Sequence, residues 1–568
     1  MPSAIIIGSG PAGSITAHEL AQHGWDVTVL ERGRNLRPGF GEKPSGELET
    51  LYSSDETKTS RHFGFPHPVL EPQTGRTQAE AESGVERSLG GAHQSLGSAV
   101  GGTSLHYNAK FPRFWKQDFT MLSDSGPIDN AQVADWPITY DELEPYYDEV
   151  EHRIGVQGDT GQMPQFVLDQ SPRSRNYPMP PNPTGYAARV MAAGAQNVGY
   201  NPFPYPSAVN STEFDGRPAC NSCGLCSSFG CPINARGDAL TSYLNPAVLT
   251  GQVRVIQRAH VFRIHTNAAG DQATEVEYYD EDHVAHRLSA EKIIIAGSPV
   301  QTARLLLLSA NNAHPNGLGN GSDQLGRNMM FHYFIIGGAE FGYDVQTLRA
   351  QSTTVEVDDL VGPFVDPAAV AQGVPYIKGG LIQVGSGLPL VSEAFFYAGL
   401  GVRPGLMHKT AMRTSLARQR IGGIQFVGED LPQAANRVDL DPSVKDWHGL
   451  PVARITYAPH AHEKAAANYF TPRLEAMCLA APGATGAVMI PQPTISDNPS
   501  ATAHHAGTAR MGNDPSTSVC DKQGRLHECQ NVHVVDGSLF PTFPGFNPTL
   551  TILANALRIA RGLAQGGV

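Results

Sequence analysis

The chain has 568 residues, and 54 acidic side chains against 41 Lys and Arg give it a formal charge of −13. That balance leaves no basic footprint for nucleic acid or an anionic lipid surface, and no apolar run approaches the ~18–20 residues of a membrane helix. The length suits roughly two to four folding units, and 60 glycines with 43 prolines point to a loop-rich globular protein.

Residues 4–33 (AIIIGSGPAGSITAHELAQHGWDVTVLERG) read as strand, glycine turn, helix and second strand. The strands, 4–7 and 26–30, are apolar enough for a sheet covered on both faces. Nothing resembling a basic segment or cleavage site precedes the first strand, so the expectation is a cytoplasmic protein. Gly8, Gly10 and Gly13 fit GxGxxG. The first allows the tight turn, the second a close approach of phosphate, and the third close packing of helix on sheet. Glu31, beside Arg32, ends the second strand, where a carboxylate takes ribose hydroxyls; its charge disfavours a 2′-phosphate. Together these elements predict a dinucleotide site.

Residues 34–90 are polar and without a sustained period, so they form either a cover or an inserted subdomain. Residues 97–114 (GSAVGGTSLHYNAKFPRF) bring a second glycine-rich stretch. Thr139 and Glu142 have capping-box spacing and start a helix through Tyr147. Residues 171–183 read as a loop and 184–193 as a short helix. Alternation over 251–264, with 276–280 and 291–297, predicts strands, and Gly297-Ser298-Pro299 opens a helix including 302–308. Further strands are expected at 331–341 and 421–427, and a helix at 462–479. The HAHE run at 460–463 lacks the spacing of HExxH and reads as helix-start polarity. The chain finishes with a strand at 531–537 and a strongly apolar helix at 548–563.

Four segments, in order along the chain, resemble the glucose-methanol-choline oxidoreductase family, whose members use FAD. They are GSGPAG at 8–13 with Glu31; GGTSLHYN at 101–108; AGSPVQTARLLLLSA at 296–310; and HHAGTARMG at 504–512 followed by VVDGSLFPTFPGFNPTLTILANALRIA at 534–560. The resemblance implies an α/β fold: a Rossmann-like FAD-binding domain with a discontinuous α+β substrate domain built on an antiparallel sheet. The FAD domain is expected from residues 1–110, 236–318 and 500–568, and the substrate domain from 111–235 and 319–499. FAD contacts are expected from Gly101, Gly102, Thr103 and Ser104, from Asp536 and Gly537 at the ribityl chain, and from Val261 near the adenine. His106 is expected either packed beside the isoalloxazine or covalently joined to it.

The family pattern also singles out His504 and Asn547, and chemistry agrees. Oxidising an alcohol removes a hydroxyl proton while hydride leaves the same carbon, and a neutral imidazole suits the proton. An amide hydrogen of Asn547 would hold the oxygen as charge develops. His505 reads as structural. Asn547 precedes Pro548 and Thr549 and is expected to cap the last helix, whose N-terminus would face the flavin edge that gains charge on reduction. The expected reaction is oxidation of an alcohol CH–OH to a carbonyl, with a sugar or glycoside favoured and a non-sugar primary or aryl alcohol as the alternative. O2, a quinone or a protein accepts the electrons. A flavin-binding protein without redox turnover is the remaining alternative.

Seven cysteines are present, and Cys220, Cys223, Cys226 and Cys231 crowd into CNSCGLCSSFGCP. Three readings stand: an iron–sulfur cluster, since sugar dehydrogenases of the family carry a cysteine segment that this one partly resembles; structural zinc; or free thiols and local disulfides that hold a lobe. Cys520 and Cys529 bracket a turn around Gly524 and are candidates to pair across it, while Cys478 reads as packed in a helix.

Overall fold

The computed structural model describes residues 1–37, 73–87, 97–224, 226, 229–347, 351–386, 393–394, 397, 401–403, 405–491 and 503–566. Most of the polar 34–90 stretch lies outside these residues. Within its described part, the strand Thr74–Thr77 pairs in parallel with Pro451–Tyr457 and runs into the helix Gln78–Glu82.

The N-terminal run folds as a strand–helix–strand unit: β1 (Ser3–Ile7), α1 (Pro11–Gln22) and β2 (Asp26–Leu30). These strands sit in a sheet ordered Val253–Ile256, β2, β1, Lys292–Ile295 and Cys529–Val534, all parallel, with Arg525–Leu526 antiparallel at the edge. Ile6, Val27, Val29, Ile293, Ile294, Ile295, Val532 and Val534 are fully buried, as continuous apolar runs in a two-sided parallel sheet must be. α1 packs on the helix Thr549–Ala564, which in turn packs on Tyr140–Ile154. That last helix begins with the expected capping box of Thr139 and Glu142, and runs past Tyr147 because Leu143, Tyr147, Val150 and Ile154 keep one apolar stripe buried.

A second sheet of six antiparallel strands is ordered Ala484–Pro491, Tyr333–Phe341, Ile421–Gly428, Ile382–Ser386, Thr353–Val357 and Phe203–Pro204. Helices Tyr186–Asn197 and Ala461–Leu479 pack on it and complete a separate core around Phe426, Phe470, Leu474 and Met477. His460 and Glu463 form the capping box that starts the longer helix, so the HAHE run is a helix start.

A two-residue antiparallel ladder joins these two regions. Met330 pairs with Ala506 and Phe331 with His505, just before the strand Tyr333–Phe341 begins. This ladder brings residue 332 beside residue 504.

Candidate functional site

A crevice runs along the C-terminal ends of the parallel strands, where open α/β sheets bind ligands. Its floor is the turn after β1. Gly8 has φ +101°, and a Cβ there would lie 2.5 Å from the carbonyl oxygen of Ala296. A Cβ on Gly13 would stand 2.0 Å from the oxygen of Gly8, so α1 sits closer to the turn than any side chain permits. Gly10 differs: a Cβ there meets no protein atom within 4 Å, and Gly10 lines the crevice. A Cβ on Gly102 would come within 2.8 Å of the Gly10 Cα, which shows the two glycine-rich segments pressed together.

Glu31 closes the far end of this turn and is 6% exposed. Its Oε2 accepts from the Ser9 amide at 2.9 Å and the Ser9 hydroxyl at 2.6 Å, and its Oε1 accepts from the Gly33 amide at 2.7 Å. Burial pushes its carboxyl above the usual range, and the Ser9 and Gly33 donors oppose that shift. Arg32 lines the crevice and donates through Nε to Ser98 Oγ at 2.9 Å.

Thr103, Val261, Gly537, Pro548 and Thr549 also line the crevice, as does Asp536. The Asp536 carboxylate accepts from Ser298 N at 2.8 Å and Thr302 Oγ1 at 2.7 Å, and from Ser538 N at 2.9 Å; it ties its own turn to the start of the helix Pro299–Leu308. Gly13, Gly101, Ser104 and His106 are not among the residues that line the crevice, whereas Asn547 adjoins that lining through His504. Gly13 packs the helix, Gly101 donates its amide to Ser9 Oγ, and Ser104 Oγ bonds Gly101 O and Ala239 N. His106 is buried at the end of the Gly102–Leu105 turn.

These residues fit FAD. The open main chain at Gly10 is a cradle that any Cβ would fill. Three helices, starting at Pro11, Pro299 and Thr549, point N-termini without side-chain caps at the same space, and such ends favour a pyrophosphate or another developing negative charge.

His504 also lines the crevice. Its Nδ1 is 2.8 Å from His332 Nδ1 and its Nε2 is 3.4 Å from Asn547 Nδ2. Burial, with the neighbouring His505, lowers His504 to about 3, and burial lowers His332 well below the usual histidine value; both rings are neutral at pH 7. Asn547 is not the helix cap. Pro548 occupies that position and the helix starts at Thr549, because the Asn547 side chain turns to other partners. Its Oδ1 accepts from the Tyr205 hydroxyl at 2.5 Å and from Gln383 Nε2 at 2.8 Å. With the oxygen engaged twice, the amide hydrogens are left to face His504. His505 pairs in the short ladder with its ring edge-on to Phe331, while also lining the crevice.

His332, Tyr205 and Gln383 carry no spacing signature. Each comes from a separate apolar run, and only the sheet pairings bring them to Asn547 and His504.

All seven cysteines are free. Among the described residues no three His, Cys, Asp or Glu side chains are grouped to hold a metal ion, so neither an iron–sulfur nor a zinc ligand set is supported at Cys220, Cys223, Cys226 and Cys231. Burial raises the Cys220 thiol to about 11 and moves Cys226 in the same direction. Cys520 and Cys529 do not pair either: each is bridged to Leu526, which stands between them.

Two profiles described as GMC oxidoreductase match residues 81–334 and 432–556, and one described as FAD dependent oxidoreductase matches residues 3–58. The chain is 31% identical to 6‴-hydroxyparomomycin C oxidase of Streptomyces lividus, over 99% of its own length and 91% of that protein. It is 29% identical to the fructose dehydrogenase large subunit of Gluconobacter japonicus, over 98% of this chain and 96% of the other. Pyridoxine 4-oxidase from Mesorbium loti has the same fold, with a TM-score of 0.62 at 17% identity and 99% of each chain covered.

Proposed function

The chain belongs to the GMC oxidoreductase family, and from that premise we propose that it oxidises a CH–OH of a sugar or glycoside to the carbonyl, with His504 as the base and Asn547 as the group that orients the oxygen. It is an FAD-dependent oxidoreductase. The observation that carries the assignment of roles is the convergence of His504 Nε2 and Asn547 Nδ2, 3.4 Å apart, at the wall of a crevice built for a dinucleotide. The choice of substrate class rests on the relatives: one is by name a fructose dehydrogenase subunit and another an oxidase of a paromomycin.

FAD would be held by the Gly8–Gly13 turn, Glu31, Gly102, Thr103, Asp536 and the N-terminus of the last helix, and when bound it supplies the acceptor for the hydride that leaves the carbinol carbon. The substrate hydroxyl gives its proton to His504 Nε2. Asn547 Nδ2 donates to the same oxygen and steadies the charge that develops as the proton leaves. His504 is neutral before the transfer, so a ring lone pair is available to take the proton. His504 is half-buried on the crevice wall, with Phe334 edge-on to its ring at 5.5 Å.

The four-cysteine lobe enters no step. We assign it free thiols, and iron and zinc analysis of purified protein tests that assignment. The reaction itself is tested by adding a panel of sugars, glycosides and simple alcohols under anaerobic conditions. Bleaching of the flavin band with sugars or glycosides is the expected result. Bleaching only with non-sugar alcohols would move the substrate class, and no bleaching with any member would remove the activity.

A further inference from the structure

His332 lies outside the crevice and outside the proposed reacting pair, yet its surroundings determine its protonation pattern. The ring is fully buried and stacks on Phe543, with centroids 3.8 Å apart and an interplanar angle of 10°. Its Nε2 is 2.8 Å from the carbonyl oxygen of Pro544. A carbonyl only accepts, so Nε2 carries the hydrogen. In a neutral imidazole Nδ1 is then the lone pair. That lone pair meets His504 Nδ1 at 2.8 Å, so His504 must donate there and keep its own lone pair on Nε2. Asn547 agrees from the other side: its Oδ1 is engaged by Tyr205 and Gln383, which leaves an amide hydrogen, not an acceptor, against His504 Nε2.

We propose that His332 is a positioning residue that fixes the tautomer of His504, passing the direction of the Pro544 carbonyl through two imidazoles so that the basic nitrogen faces the substrate. The arrangement does for a neutral base what a carboxylate does in a triad, with an uncharged partner. The two rings approach edge-on, at 90° and 5.0 Å between centroids. Each is held by its own backbone neighbours: His504 by the ladder pairing of His505 with Phe331, and His332 by the same ladder one residue later. The chain Pro544 O, His332, His504, Asn547 and then Tyr205 with Gln383 therefore has one self-consistent direction of donation.

This inference rests on His504 being the base, and the test separates the two claims. In the FAD-loaded protein, His332→Phe keeps the ring volume and the stack on Phe543 while removing both nitrogens; His332→Asn returns an acceptor near the Nδ1 position. His332→Phe is expected to slow anaerobic flavin reduction about tenfold or more with half-saturation by substrate little changed, and His332→Asn to recover most of that loss. Nitrogen-15 NMR of histidine-labelled wild type is expected to show His504 with a protonated Nδ1 and a lone pair on Nε2 at neutral pH, a signature that a purely packing role would not set. A wild-type spectrum with the hydrogen on Nε2, or a His332→Phe reduction rate within about twofold of wild type, overturns the proposal. If His332→Phe does not retain FAD, the wild-type spectrum decides alone. Normal reduction in His504→Ala would instead remove the base assignment, and with it the role described here.

Discussion

The crevice and the corner around His504 are built by opposite means. The crevice is made of main chain: a left-handed Gly8, a helix pressed on the turn at Gly13, an open Gly10 and three uncapped helix ends. The corner is made of side chains, with Asn547, His504, His332, Tyr205 and Gln383 in one hydrogen-bonded chain. A backbone site tolerates any side chain that stays out of its way and fails when one intrudes. A side-chain network fails in degrees, one partner at a time.

The strongest way to break the crevice half is Gly13→Val. Its Cβ would fall 2.0 Å from a backbone oxygen, so the expected result is protein without flavin, read from the flavin-to-protein absorbance ratio. Next in size is His504→Ala, which should slow flavin reduction by about 10²-fold or more with FAD retained; stopped-flow reduction checks it, and a loss of FAD instead would erase the contrast between the two halves. Asn547→Ala should cost about tenfold in reduction. It should also lower the melting temperature, because the buried Tyr205 hydroxyl and Gln383 amide lose their shared acceptor. Glu31→Gln should weaken FAD binding about tenfold, since one of the buried Ser9 and Gly33 donors is left facing an amide, while the reduction rate of loaded enzyme stays unchanged.

The smallest effect concerns pH. His504 sits at about 3 when folded and near 6.5 when unfolded. Between those values the unfolded chain binds the proton and the folded chain does not, so stability rises with pH through that window and is lost as pH falls below the unfolded value. Flavin reduction should accordingly show no inflection near 6.5, as a rate profile between about pH 5 and 8 would reveal.

The same contrast explains what the sequence discloses. Gly8, Gly10, Gly13 and Glu31 are legible because a backbone turn needs particular residues at fixed offsets. The last helix, the capping box at Thr139 and the helix start at 460–463 are legible for the same local reason. His504 and Asn547 are legible only through the family pattern. His332 sits unmarked in the apolar run FHYF, and its meaning arises when Phe331 pairs with His505, far along the chain. Asn547 shows the reverse error: next to a proline at a helix start, local rules make it a cap, but three distant partners draw its side chain away from the helix. Spacing at the four crowded cysteines resembles a ligand set, yet among the described residues the fold groups no such set there.

The ladder of Met330–Phe331 with His505–Ala506 is only two residues long, yet both imidazoles hang from it. It is not part of the parallel sheet that forms the flavin crevice. On gradual heating, then, catalysis should fade while the yellow colour still sediments with the protein, and cooling before the larger sheet melts should bring turnover back without added cofactor.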